Sequence, residues 1–297
     1  MMKISFIGVG MMGKGMAFNI AHYGGEFIAY DLDSARLVPF EQAGICTTQS
    51  LKEAADADII CMCVPNTKIV RSLVLGDDGI APYLHAGQTI IDFSTIFYKD
   101  AEEIAKQLES QGIDFMDAPI SGGKPRADDG TLTIMCGGKK EVFDRVEPLL
   151  KLAGTTILYM GGSGTGQIAK TINGSLFKLI IAGFCELMPL AVKMGLDPEK
   201  TERMLNTGVA ASDASRIWLP KALDNDFNYV KITGGYKDLI AVRTMCEDNH
   251  IDLPTLNGAI QSFELGMKEN PDLYFNGMIL PYEKLLGVKC RRAKKEE

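Results

Sequence analysis

The chain opens with Lys3-Ile-Ser-Phe-Ile7-Gly8-Val9-Gly10-Met11-Met12-Gly13, a short apolar run of β-formers that stops at a glycine turn. Lys14 to Tyr23 then reads as a helix, and Glu26-Phe-Ile-Ala-Tyr30 as a second strand ending at Asp31. A lone G-x-G-x-x-G would mean little, since glycine is common in turns. Here a strand precedes it, a helix and a strand follow, and an acid stands 18 residues beyond Gly13. Gly8 permits the tight turn, Gly10 lets a pyrophosphate approach the backbone, and Gly13 lets helix and strand pack closely. The helix N-terminus offers N–H groups and a positive dipole end to the phosphates. The turn therefore predicts a dinucleotide site lined by Gly8, Gly10, Met11, Met12 and Gly13. An Asp31 carboxylate accepts bonds from ribose hydroxyls and repels a 2′-phosphate; Asp33 adds to that repulsion. Arg36 is expected to face solvent, so NAD is favoured over NADP.

Working outward, strands alternate with helices. Asp58 to Val64 is a buried strand stopping at Pro65-Asn66, and Thr89 to Phe93 another, stopping at Ser94-Thr95. Ligands collect at the carboxyl ends of such strands, which brings in Val64, Pro65 and Thr95; Asn66 reads equally as ordinary turn chemistry. Asp114 to Asp117 leads into Ala-Pro-Ile-Ser121-Gly122-Gly123, whose hydroxyl and unshielded backbone N–H groups suit a small carboxylate. Lys124-Pro125-Arg126 beyond it either reaches a second acidic group or forms a solvated loop. Thr131 to Cys136 and Thr156 to Tyr159 add two strands. Gly161 to Gly166 reads as a flexible junction, with domains at 1–163 and 164–297.

After this junction comes an apolar run from Gln167 to Val192, read as a helix over about 166–193. Its length suits a membrane span, but Lys170, Asn173, Lys178, Glu186 and Pro189 are costly in lipid. A buried helix between two halves of a soluble protein fits better. Lys170 is then either buried, its pKa falling from about 10.4 towards catalytic use, or snorkelling at the helix start. Asn173 shares its face. Further helices are predicted at Pro198 to Asn206, Ser215 to Asp224, Tyr236 to Asn249 and Thr255 to Asn270. The ending from Lys289 to Glu297 reads as a solvated mixed-charge tail, and Trp218 as core.

Composition fits this picture. In 297 residues, 46% are hydrophobic and 23% charged, as in an ordinary globular protein, and the net charge of −7 gives no pull towards nucleic acid or an anionic membrane. The seven cysteines lack Cys-x-x-Cys spacing, and Cys61 and Cys63 share one apolar strand. The three histidines are scattered, so no metal is expected. Free thiols without an export signal imply the cytoplasm.

Four stretches together resemble the β-hydroxyacid dehydrogenases, the family of 3-hydroxyisobutyrate dehydrogenase and tartronate semialdehyde reductase: Phe6 to Ala17, Asp117 to Gly123, Gly164 to Lys170, and Tyr236-Lys237-Asp238-Leu239. They stand in family order across almost the whole chain. The resemblance implies an α/β Rossmann-like N-terminal domain and an all-α C-terminal domain, joined by a long interdomain helix. It implies NAD-dependent interconversion of a small β-hydroxyacid and its semialdehyde, with Lys170 moving the proton. Ser121, Gly122 and Gly123 match the loop that holds the substrate carboxylate, with Asn173 beside them. Thr95 and Lys237 match positions touching cofactor or substrate. A homodimer or homotetramer is implied, with no nucleic-acid or membrane partner. One departure stands out: Gly174 replaces an asparagine that would orient the substrate. Imine reductases share this architecture but replace the lysine, and 6-phosphogluconate dehydrogenase has a larger helical domain. A scaffold protein would keep the Rossmann half without the chemistry.

Overall fold

Strand β1 (Lys3–Ile7) runs up the middle of a sheet, with Ile4, Phe6 and Ile7 almost wholly buried. The computed structural model describes residues 2–227 and 230–292. Among these, β1 pairs in parallel with β2 (Glu26–Tyr30), which pairs with β3 (Cys46–Thr48). On its other side stand β4 (Ile59–Met62), β5 (Thr89–Asp92) and β6 (Asp114–Asp117), also parallel. The order 3-2-1-4-5-6 reverses beside β1, the position at which open α/β sheets take their ligands. Beyond β6 the direction changes. Strands β7 (Ile120–Ser121) and β8 (Leu132–Gly137) pair antiparallel, and β9 (Gly154–Gly161) returns parallel to β8 after the helix Lys140–Ala153. The apolar runs of β4 and β5 are buried throughout, as a sheet covered on both faces requires.

The sequence-predicted elements appear with end shifts of a few residues. The first helix is Gly13–Ile20, finished by a 3₁₀ turn at Ala21–Tyr23. Strand β3 and the short helix Gly123–Asp128 were not expected from the sequence; β3 is three residues long and the helix contains Pro125. The Gly161–Gly166 stretch is not a loose junction: Gly161 ends β9, Gly164 and Gly166 are buried, and Thr165 starts the next helix.

That helix, Thr165–Lys193, runs for 29 residues and starts in one compact unit, which ends at Lys170, and continues into the other, which begins at Thr171. It is long and apolar enough to cross a membrane, yet Ile181, Phe184, Cys185 and Met188 pack into a helical core. The second unit adds helices Pro198–Thr207, Asp213–Leu223, Ile232–Asp248, Pro254–Glu269 and Ile279–Leu286. Asp197 caps the first of these through Lys200 N–H, with Pro198 at its first position. Phe275 is the hub of the core, with ring centroids 6.1 Å from both Trp218 and Phe263. Trp218 is thus a core residue of this unit.

The chain end departs from the solvated tail. Cys290 is buried and its N–H donates to Glu283, Arg291 pairs with the same carboxylate, and Arg292 pairs with Glu202 and Asp224. Glu283 and Glu202 lie buried in the helices, so the arginines are drawn in as their counter-charges. Residues 293–297 lie outside the described residues.

Candidate active site

The glycine turn closes on itself through contacts too tight for any side chain. Gly8 has φ +91°, and a Cβ there would sit 2.5 Å from Cys63 O; one on Gly13 would sit 2.0 Å from Gly8 O. The turn therefore lies against the end of β4, with Val64 beside Gly8. The helix Gly13–Ile20 starts without a side-chain cap or an acid in its first turn. Its first N–H groups and dipole are left for an anion. Asp31, 6% exposed, braces the turn: Val9 N–H donates to its Oδ2 at 3.0 Å and Asp33 N–H to its Oδ1 at 3.0 Å. These residues fit a dinucleotide, with a backbone cradle for the pyrophosphate and a carboxylate at the end of β2 for the ribose. Met11 is exposed and Met12 half-buried on the same turn.

Arg36 is exposed, as its place on the helix predicts, and it also makes local ion pairs. Its guanidinium turns back to Asp31 at 3.5 Å and to Asp33 at 3.4 Å, and reaches over Gly10. Two carboxylates draw it inward although its side chain is half exposed.

At the end of β5, Ser94 Oγ accepts Val64 N–H at 2.9 Å, and Thr95 follows half-buried. Asn66 accepts Ile69 N–H and caps the helix Thr67–Leu75, so its role is the turn chemistry that its position also allowed. Pro65 is exposed between them.

Ser121 lies on β7 opposite Thr133, half-buried. Gly122 and Gly123 follow with φ +138° and +73°, and this left-handed backbone is what glycine supplies. Lys124 and Arg126 are exposed to solvent, but on a short helix and not in a loop. They sit on the helix Gly123–Asp128, where Lys124 pairs with Asp128 and the Arg126 stem packs over Gly122. Lys170 comes to this edge: its half-buried ammonium donates to Ile120 O at 2.6 Å, one residue from Ser121. The structure thus brings the amine and the Ser-Gly-Gly loop together.

Two carboxylates that the sequence reading left as strand ends stand beneath this edge. Asp92 and Asp117 are register partners on β5 and β6, both fully buried. Asp117 accepts N–H bonds from Gly164 at 2.7 Å and Gln167 at 2.9 Å, the start of the long helix. Asp92 Oδ1 accepts Ser94 N–H at 2.8 Å, while its Oδ2 finds no hydrogen-bond partner among the described residues. Burial pushes both carboxyls up to about 7, against the pull of those N–H bonds. An acid closing a buried apolar strand was the available sequence signal.

In the second unit, Asn173 is exposed and Lys237 exposed on the helix Ile232–Asp248. The structure supplies a further pair there. Lys178, 7% exposed, meets Asp238 at 2.6 Å, with Phe177 and Phe275 rings 5.5 and 5.9 Å from its ammonium. Gly174 lies beneath: a Cβ there would be 3.4 Å from both Lys178 Nζ and Asp238 Oδ2.

Comparison with known proteins agrees with this geometry. The NAD binding domain of 6-phosphogluconate dehydrogenase matches residues 3–161. A second family model, NAD-binding of NADP-dependent 3-hydroxyisobutyrate dehydrogenase, matches residues 164–278. The 2-(hydroxymethyl)glutarate dehydrogenase of Eubacterium barkeri is 34% identical over 89% of this chain and 89% of its own. The 2-hydroxy-3-oxopropionate reductase of Escherichia coli is 35% identical over 80% and 82%. Among solved structures, 3-hydroxyisobutyrate dehydrogenase from Salmonella typhimurium superposes with a TM-score of 0.83 at 25% identity, covering 94% of this chain and 99% of that one.

The buried carboxylates make stability pH-dependent. In the folded chain Asp92 keeps its proton up to about pH 7, whereas an unfolded aspartate loses it near about 3.9. The folded state binds more protons between these values, so stability falls as pH rises through that window. Asp92→Asn keeps the acceptor for Ser94 and removes the charging step. Its Tm should match the parent near pH 4.5 and exceed it at pH 8, by about 2–4 °C for each kcal/mol relieved. A Tm difference that does not change with pH would refute this.

Proposed function

This chain belongs to the β-hydroxyacid dehydrogenase family, and on that premise we propose an NAD-dependent oxidoreductase interconverting a small β-hydroxyacid and its semialdehyde, with Lys170 as general acid and base. The observation that carries the reading is the Lys170 ammonium 2.6 Å from Ile120 O, beside Ser121. Bound nicotinamide supplies or takes the hydride. The protein holds the rest. Gly8, Gly10, Met11, Met12 and Gly13 line the pyrophosphate, Val64, Pro65 and Thr95 border the nicotinamide end, and Asp31 receives the ribose hydroxyls. Ser121 and the Gly122 and Gly123 N–H groups fix the substrate carboxylate, and Asn173 and Lys237 are the further substrate-binding candidates.

In the reducing direction the Lys170 ammonium hydrogen-bonds the carbonyl oxygen and gives it a proton as the carbon is reduced. In oxidation the neutral amine removes the hydroxyl proton. The Ile120 carbonyl anchors the ammonium, which limits the positions from which it works.

NAD is the preferred form, supported by the braced Asp31 carboxylate and by Arg36, whose charge two carboxylates already engage. The seven cysteines, all free thiols, support a cytoplasmic setting. The enzyme assembles as a homodimer or homotetramer. Support comes from one face of the long helix, where Leu176, Leu187 and Leu190 are exposed and Gly183 has open space above it. Leu176, Gly183, Leu187 and Leu190 recur at intervals of seven, four and three, which makes one stripe suited to a second helix.

Three measurements check these statements. Lys170→Ala should lower kcat by about 10²–10⁴ in a screen of small hydroxyacids and semialdehydes, with NADH binding, followed by nicotinamide fluorescence, retained; near-normal turnover removes the assignment, and NADH binding by the parent with no turnover across the screen favours a scaffold. Asp31→Ser should move the ratio of kcat/KM values towards NADPH by about tenfold or more, the effect of roughly 1.4 kcal/mol; a parent that already prefers NADPH overturns the coenzyme assignment. Leu187→Asp should yield monomers by light scattering, whereas an unchanged mass places the interface elsewhere.

A further inference from the structure

Gln167 is the third residue of the long helix and one turn before Lys170, fully buried although it is a polar side chain on an apolar helix. Its carboxamide is spanned by two backbone groups of one loop. Ile96 N–H donates to its Oε1 at 3.1 Å, and its Nε2 donates to Ser94 O at 2.9 Å. Those two residues bracket Thr95. A planar side-chain end carrying one acceptor and one donor satisfies both at once.

The surroundings are connected in both directions. Ser94 is tied through its hydroxyl to Val64 N–H, and Val64 packs beside Gly8 of the glycine turn. On the helix side, Asp117 already holds the Gly164 and Gln167 N–H groups, so the helix start is anchored without the carboxamide. The Gln167 side chain therefore adds something other than a cap. It links the backbone on both sides of Thr95 to the turn that carries the amine.

Resting on the reading of Lys170 as the proton-transfer group, we propose that Gln167 is a positioning residue, clamping the Thr95 loop to the lysine-bearing helix so that cofactor and amine keep one fixed geometry. It touches no reacting atom and carries no charge. Its effect is exerted through Lys170 and Thr95, and small misplacements of such groups are costly to rate.

Two variants of the full-length protein test this. Gln167→Met keeps the volume and removes both hydrogen bonds. Its kcat should fall about 10–100-fold while the substrate KM changes less than about threefold, a split that reports lost geometry rather than lost binding. Gln167→Glu is near-isosteric, and in its protonated form it can donate to Ser94 O and accept from Ile96 N–H. As a carboxylate it loses the donor and repels Ser94 O, and burial raises the pH at which that happens. Its kcat should therefore recover towards the parent value as pH falls, producing a new limb in the pH profile. Asp92 and Asp117 titrate nearby in the parent as well, so the limb is read as a difference between the two profiles. A kcat within twofold of the parent for the Met variant overturns the proposal, as does a Glu profile parallel to the parent. Should the Met variant fail to fold, the Glu profile decides alone.

If the parent turns over no hydroxyacid, the reading of the enzyme fails first, and the clamp is judged separately. Acetic anhydride labelling of Lys170, followed by mass spectrometry, should then change in rate on adding NAD in the parent and not in Gln167→Met or, at neutral pH, Gln167→Glu. An equal change in parent and variant overturns the clamp.

Discussion

One carboxylate fixes the start of the long helix. Asp117 ends β6 and accepts the N–H groups of Gly164 and Gln167, two of the donors that a helix start leaves unpaired. A buried acid in this place is both a cap and a complement to the positive end of the dipole. It converts a glycine-rich connection into a pinned one, and so determines where Lys170 emerges along β7. Gly166 is part of the same arrangement: a Cβ there would lie 2.7 Å from Asp117 Oδ2, so the carboxylate occupies the volume a side chain would need.

The cost of that arrangement is electrostatic. Asp92 stands in register beside Asp117, each buried, and burial disfavours charge on both. The bonds they receive are unequal. Asp117 has two helix N–H donors, while Asp92 receives Ser94 N–H on one oxygen. Asp92 therefore has fewer donors to offset its burial. What is fixed is the geometry. Ser94, held by Asp92 from below and by Gln167 from the helix, presents its hydroxyl to Val64. The glycine turn, the β5 loop and the lysine turn are thereby joined by hydrogen bonds and contacts among neighbouring strand ends, the common edge where open α/β sheets gather their ligands.

Much of this was legible in the residues. The glycine turn with its flanking strands and Asp31 predicts the central sheet, because each glycine answers a steric demand that the fold imposes. The apolar run after Gln167 predicts the long helix, and Lys170 lies where a short strand carbonyl can receive it. What the residues did not disclose were pairings that depend on tertiary approach. Arg36 is solvent-exposed as expected, but its reach back to the buried Asp31 could not be read from its own helix. Arg291 and Arg292 looked like a tail because Glu283, Glu202 and Asp224 reach them only through folding of the helical unit. Gln167 belonged to a recognisable motif, yet nothing local says that its amide spans residues 94 and 96. Hydrophobic periodicity locates elements; the partners of polar side chains inside them are set by the packing.

Gly174 shows how a departure at one position is answered by a residue one helical turn further on. On sequence alone it is an asparagine lost. In the folded unit it lies one turn before Lys178, whose ammonium is buried against Asp238 and two aromatic rings. A buried ammonium needs a counter-charge and further favourable contacts to offset its desolvation, and ring faces supply the second. A Cβ at residue 174 would stand 3.4 Å from both members of the pair, so the ion pair lies directly over this position and the three residues form one structural feature. Asp238 is at the same time the neighbour of Lys237, so this feature reaches one of the four stretches that mark the family.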